Sequence, residues 1–169
     1  MKRTIIKFGG YSCLLLIAVF GISFLFEDQM DFSTSEIFGY ATIVLSLSFV
    51  FFGIKNYRDK ENNGIISFGK VLKIGLLITL LASLTFGLIN VIYTEVINPE
   101  FSTEYYNYSV EKIKKELPTE EYKAKIEELE SQQDLFRNPL FNFVVMSLTV
   151  FIIGFIISLI SGLILQRKK

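Results

Sequence analysis

Residues 74–94 read IGLLITLLASLTFGLINVIYT, 21 residues without a single charge. At a rise of roughly 1.5 Å per residue, a helix of that length extends about 30 Å, the thickness of a bilayer's hydrocarbon core. A buried helix of a water-soluble domain accounts for an apolar run of about 10–14 residues. Three comparable runs lie on either side. Phe8 to Phe26 carries no charge over 19 residues, Ile37 to Ile54 none over 18, and Asn138 to Gln166 none over 29. The reading is an all-α integral membrane protein with four transmembrane helices, at roughly residues 5–26, 37–54, 71–97 and 139–165. They form a single membrane domain of residues 1–169, into which residues 98–137 are inserted between the third and fourth helices.

Composition narrows the chemistry. The chain is 51% apolar and holds 17 Phe, yet Lys and Arg balance Asp and Glu at 17 each. So many large apolar side chains exceed what a small core buries, and the lipid bilayer is the expected surrounding. A net charge of zero offers no basic surface to a phosphate backbone, so nucleic acid is not an expected partner. Histidine and tryptophan are absent, and Cys13 is the only cysteine. This excludes an internal disulfide and a Cys/His zinc cluster, and removes the commonest general base. No Asp, Glu, Lys or Arg lies near the middle of any span, where proton relays, ion sites and intramembrane proteases keep their ionisable groups. The expectation is a chain that is not an enzyme and has no metal or cofactor.

Lys2, Arg3 and Lys7 ahead of an apolar run also fit a signal peptide, and Gly21-Ile22-Ser23 supplies a small-x-small triplet. The apolar run continues through Phe24-Leu25-Phe26, unlike the polar end of a signal, and the first span is read as a retained anchor. Charge then orients the bundle. Basic residues gather in the N-terminal tail, in the second loop (Lys55, Arg58, Lys60, Lys70, Lys73) and at Arg167, Lys168 and Lys169. That side carries 11 basic and 2 acidic residues, whereas the first and third loops carry 6 basic and 15 acidic. The Lys/Arg-rich side stays cytoplasmic, so both termini are expected inside and residues 98–137 outside.

The inserted segment has its own helical periodicity. Tyr106, Val110, Ile113 and Leu117 form one stripe, and Tyr122, Ile126, Leu129 and Phe136 another. Pro118 separates them, with Thr119 suited to an N-cap. The expectation is an extracytoplasmic amphipathic helical hairpin that packs on itself, on the membrane or on a partner. Glu111/Lys115 and Glu121/Lys125 are spaced for ion pairs on its solvated face. At the start of the second span, Ser33-Thr34-Ser35-Glu36 reads as a capping box.

Within the spans the organised feature is small residues. Gly75, Thr79, Ser83 and Gly87 recur every four residues in the third span, and Gly154, Ser158 and Gly162 in the fourth. Such stripes let helix backbones approach closely, within one chain or between copies. Alternatively the hydroxyls bond back to their own helix carbonyls. Asn90, the most polar residue of the third span, is expected to donate an interhelical hydrogen bond.

The second loop contains Gly64-Ile65-Ile66-Ser67-Phe68-Gly69-Lys70, which fits G-x-x-x-x-G-K. Val71 stands where a phosphate loop needs Ser or Thr, and Asn62-Asn63-Gly64, where it needs a preceding strand, reads as a turn. The stretch makes better sense as an elbow: Gly64 and Gly69 permit bends, Ile66 and Phe68 dip into the membrane interface, and Arg58, Lys70 and Lys73 meet lipid phosphates. Arg58 could instead form an exposed pair with Asp59 or Glu61, worth little. Gly53-Ile54-Lys55-Asn56-Tyr57-Arg58-Asp59-Lys60, then Asn63-Gly64 and Ile66 to Gly75, resemble the core of the domain of unknown function 4199 family. Gly53, Tyr57, Arg58, Gly64, Phe68, Gly69 and Lys70 carry the likeness. It implies a small bacterial inner-membrane protein with four membrane helices and a variable segment before the last, and it implies no activity. The functional expectation is a non-enzymatic scaffold or accessory protein that associates with itself or with another membrane protein. The alternative is a subunit of an oligomeric transporter or channel.

Overall fold

The structure is a computed structural model that describes residues 1–116 and 118–167, with all their side chains except those of 27–29, 116, 119–122, 132 and 134. It is 89% helix and has no strand among the described residues. Among the described residues six α-helices follow one another: α1 Lys2–Ser23, α2 Phe32–Asn56, α3 Phe68–Ile92, α4 Phe101–Glu116, α5 Thr119–Phe136 and α6 Pro139–Leu165. A 3₁₀ turn, Phe24–Gln29, extends α1, and π turns at Tyr57–Glu61 and Tyr93–Ile97 extend α2 and α3. With these extensions α1, α2, α3 and α6 are each long and apolar enough to cross a membrane. All four present large apolar side chains outward, among them Leu14, Val44, Leu84 and Leu163, the last 69% exposed.

Local chemistry explains the helix ends. α2 is capped by Asp31, whose carboxylate accepts from the Thr34 amide at 3.3 Å and hydroxyl at 2.5 Å. These contacts, the hydroxyl foremost, hold the Asp31 carboxyl below its usual range. The capping box expected at Ser33 is therefore displaced: the helix already starts at Phe32 with Asp31 as its cap, which puts Ser33 inside the first turn. Thr119 is likewise not the cap of α5 but its first residue; Pro118, in extended backbone, holds that place. α6 starts with proline at its first position, where the missing N–H costs nothing. Its free amides at Leu140 and Phe141 are taken by the Asn138 side chain at 3.0 and 3.2 Å. Leu117, Lys168 and Lys169, and the side chains of Thr119, Glu121 and Tyr122, lie outside the described residues.

The chain forms two compact units, Met1–Phe86 with Met146–Lys169, and Gly87–Val145. In the first, α1 runs antiparallel to α2 and the two are joined at Ser12 and Ser46, both fully buried. Their hydroxyls lie 2.6 Å apart, and each reaches the other's backbone carbonyl at 3.0 Å. Leu16, Leu47, Val50, Ile54, Ile74 and Ile78 fill the surrounding core. In the second unit α4 and α5 form an antiparallel pair: Tyr106 donates to Glu130 at 3.1 Å, and the Gln133 amide to the Ser102 carbonyl at 3.5 Å. Tyr106, Val110, Ile113, Ile126, Leu129 and Phe136 are half-buried. Lys125 pairs with Glu128 at 2.7 Å.

Candidate functional site

The densest polar organisation of the first unit surrounds the loop between α2 and α3. Leaving α2, the backbone widens into the Tyr57–Glu61 π turn and then reverses at Asn63 and Gly64, with φ of 53° and 77°. A left-handed pair of this kind suits Asn followed by Gly, and any Cβ at residue 64 would be strained. The Gly64 amide donates to the Arg58 carbonyl at 2.8 Å, and the Asn62 side chain donates to the Ile65 carbonyl. The turn thus aims Ile66 inward. Ile66 is fully buried and exchanges two backbone hydrogen bonds with Arg167, at 3.1 and 3.0 Å.

Arg58 is the charged centre of this knot. Only 8% exposed, its guanidinium grips Asp59 through Nε at 2.6 Å and Nη2 at 3.1 Å, and Nη1 reaches the Leu165 carbonyl at 3.4 Å. The last contact lies at the C-terminal end of α6, where unpaired carbonyls attract a cation. The pair is thus not the exposed one expected from sequence: the turn folds Arg58 beneath α6 while Asp59 stays at the surface. Glu61 accepts from the Thr4 hydroxyl, which attaches α1 to the same loop. Lys70 is exposed, 6.0 Å from the Tyr57 ring and 3.5 Å from the Asn62 side chain.

The other motif residues divide by role. Gly53 is a close-approach position, where an added Cβ would lie 2.6 Å from Ile78 and 3.1 Å from Phe8. Phe68 packs against Gly162, and Ile66 sits inside protein, not in a membrane interface, because the Arg167 bridge covers it. Gly69 has open space around it in the first turn of α3. A helix and a π turn precede Gly64, so the G-x-x-x-x-G-K stretch lacks the strand that a phosphate loop requires.

The small-residue stripes meet in antiparallel register. An added Cβ on Gly75 would collide with Ser158, and one on Gly154 with Thr79. The Ser158 hydroxyl returns to the Gly154 carbonyl at 2.7 Å, and Ser83 to Leu80 at 3.0 Å. Gly87, buried, belongs to the second unit. There a second polar cluster stands out. The Asn142 amide donates to the Thr94 hydroxyl at 3.3 Å, so Asn142 makes the interhelical bond expected of Asn90. The side-chain carbonyl oxygens of Asn90 and Asn142 are both buried and find no partner among the described residues. Sequence reasoning missed Asn142, although an amide inside a 29-residue uncharged run was the signal. It also missed Ser12 and Ser46, which looked like two unremarkable hydroxyls in apolar helices.

No curated protein and no solved structure is significantly similar to the chain. A family model described as "Protein of unknown function (DUF4199)" matches residues 7–167. The match takes in the whole Arg58 knot, the two stripes and both asparagines, and the chain belongs to the DUF4199 family.

Proposed function

We propose that this protein is a non-enzymatic scaffold or accessory protein of the bacterial inner membrane, associating with copies of itself or with another membrane protein. The observation that supports this reading most directly is the use made of the family motif. Arg58, Tyr57, Gly53 and Phe68 are engaged in contacts within the chain, so the motif's chemistry serves to hold helix ends together. The charge asymmetry supports an orientation with both termini cytoplasmic and the α4–α5 hairpin outside. Reporter fusions after Lys60 and Lys169 should read as cytoplasmic, and fusions after Asp31 and Glu128 as external. An external signal at Lys60 would overturn the orientation.

A second reading, a subunit of an oligomeric transporter or channel, is favoured by one observation, the unpartnered buried oxygens of Asn90 and Asn142. Purification in mild detergent, identification of what co-purifies, and solute-flux assays in liposomes separate the two. A reproducible protein partner without flux supports the scaffold; flux by the purified protein alone replaces it with the transporter.

A further inference from the structure

Buried polar oxygens are rarely left without donors, and the energetic penalty rises further where water is scarce. Asn142 is 3% exposed. Its amide nitrogen donates to Thr94, and its carbonyl oxygen has no donor to accept from among the described residues. Asn90 lies one turn before Thr94 on the same helix and presents a second such oxygen. The Thr94 hydroxyl donates to the Val91 carbonyl of its own helix at 3.4 Å while it accepts from the Asn142 amide. The two amide oxygens thus keep lone pairs for which the described residues supply no donor.

Three further features give this cluster an electrostatic sign and an entrance. It sits at the C-terminal end of α3, where the carbonyl dipoles favour positive charge. That end unwinds into the Tyr93–Ile97 π turn, an irregularity that recurs at functional sites. Thr94 also lines a pocket of about 170 Å³ whose wall includes Glu95, Ser102, Thr103 and Arg137. The competing positive dipole, at the start of α6, is already occupied by the Asn138 side chain.

We propose that Asn90, Thr94 and Asn142 form a binding site for a small monovalent cation of the Na⁺ class, reached through the pocket that Glu95 lines. Neutral oxygen donors suit a hard ion of low charge. A divalent ion would call for carboxylates, and no group of three Asp, Glu, His or Cys is placed to hold one among the described residues. The site rests on the unpartnered oxygens and not on either functional reading. A scaffold can carry a structural Na⁺, and cation binding without flux would leave the scaffold standing.

The test is melting of the full chain in detergent at constant ionic strength, with NaCl replaced stepwise by choline chloride. A saturable rise of about 2–5 °C with Na⁺ is expected at roughly ten-fold excess over the dissociation constant. The rise should vanish in Asn142→Leu and shrink in Thr94→Val. Should Asn142→Leu fail to fold, radiolabelled Na⁺ binding to the wild type, competed with Li⁺ and K⁺, decides the matter. Equal melting in Na⁺ and choline, a rise that survives Asn142→Leu, or no saturable binding would each overturn the site and leave two amides bridged by water.

Discussion

The two compact units bond their buried polar groups by different means, although each keeps two buried oxygens without a partner among the described residues, Thr79 and Ser147 in one, Asn90 and Asn142 in the other. In the unit built from Met1–Phe86 and Met146–Lys169, Ser12 and Ser46 answer each other, Ser158 answers its own helix, and Arg58 finds both a carboxylate and a carbonyl. Packing there is tight: at Gly53, Gly75 and Gly154 an added Cβ would lie within 3 Å of a neighbouring side chain. In the unit Gly87–Val145 the polar bonds of the hairpin lie at the surface, and the two amides at its buried end are incompletely satisfied. Steric fit specifies the first unit, whereas polar contacts in reach of solvent specify the second. Perturbations should therefore differ in size between them.

The largest effect is expected where fit is tightest. Gly154→Leu drives a side chain into Thr79, and overpacking of that kind costs about 1–3 kcal/mol. The melting temperature in detergent should fall by several degrees. Gly10→Ala and Gly39→Ala, where nothing stands within 4 Å of an added Cβ, should melt unchanged or higher. Equal behaviour of Gly154→Leu and these controls would break the contrast. Next comes the Arg58 knot. Asp59→Ala strips the buried guanidinium of two charge-assisted hydrogen bonds and should lower the melting temperature by less than Gly154→Leu does, because Asp59 itself faces solvent, which weakens the pair. Cleavage by an added protease near Asn63 should rise in parallel. An Asp59→Ala protein with wild-type melting and cleavage would mean that the guanidinium is held by Leu165 alone.

The smallest effect belongs to the hairpin. Tyr106→Phe removes one hydrogen bond at its surface and should cost about 0.5 kcal/mol. Partial burial, and then the Glu130 carboxylate, raise the Tyr106 phenol above its ordinary value. A raised phenol stabilises the fold below its unfolded value, about pH 10, and that contribution disappears as pH climbs through the folded one. Hydrogen exchange in α4 should thus distinguish the two proteins at neutral pH and cease to do so well above pH 10. A difference that persists there would show that packing of the ring, not its hydroxyl, holds the hairpin.

Much of this was legible in the residues, and the exceptions share a cause. Uncharged length alone places α1, α2, α3 and α6, because in a bilayer every backbone polar group must be satisfied within its own helix. The four-residue spacing of Gly75, Thr79, Gly154 and Ser158 likewise announces close approach, since only small side chains allow it. The Ser12–Ser46 joint, the Asn142–Thr94 bond and the burial of Arg58 left no periodic trace. Each depends on which residue of a distant helix arrives opposite, and a single chain read along its length does not contain that register. The misplaced cap at Ser33 is different. Asp31, a cap of the same rank as Ser, stood two residues away, and the box pattern outweighed it.

Ile66 and Arg167 close a circuit through the greater part of the chain, and Arg58 reaches Leu165 across 107 positions. Such contacts have a place in time as well as in space. A ribosome releases α1, α2 and α3 long before α6, so during that interval Arg58 lacks its carbonyl and Ile66 its bridge. The loop between α2 and α3 thus spends the first part of its existence unclasped, and locks only when the final helix takes its place. Closing so long a circuit carries a loop entropy that grows only slowly with length. The lock therefore loses little by waiting, and its fastening marks the moment at which the bundle is complete.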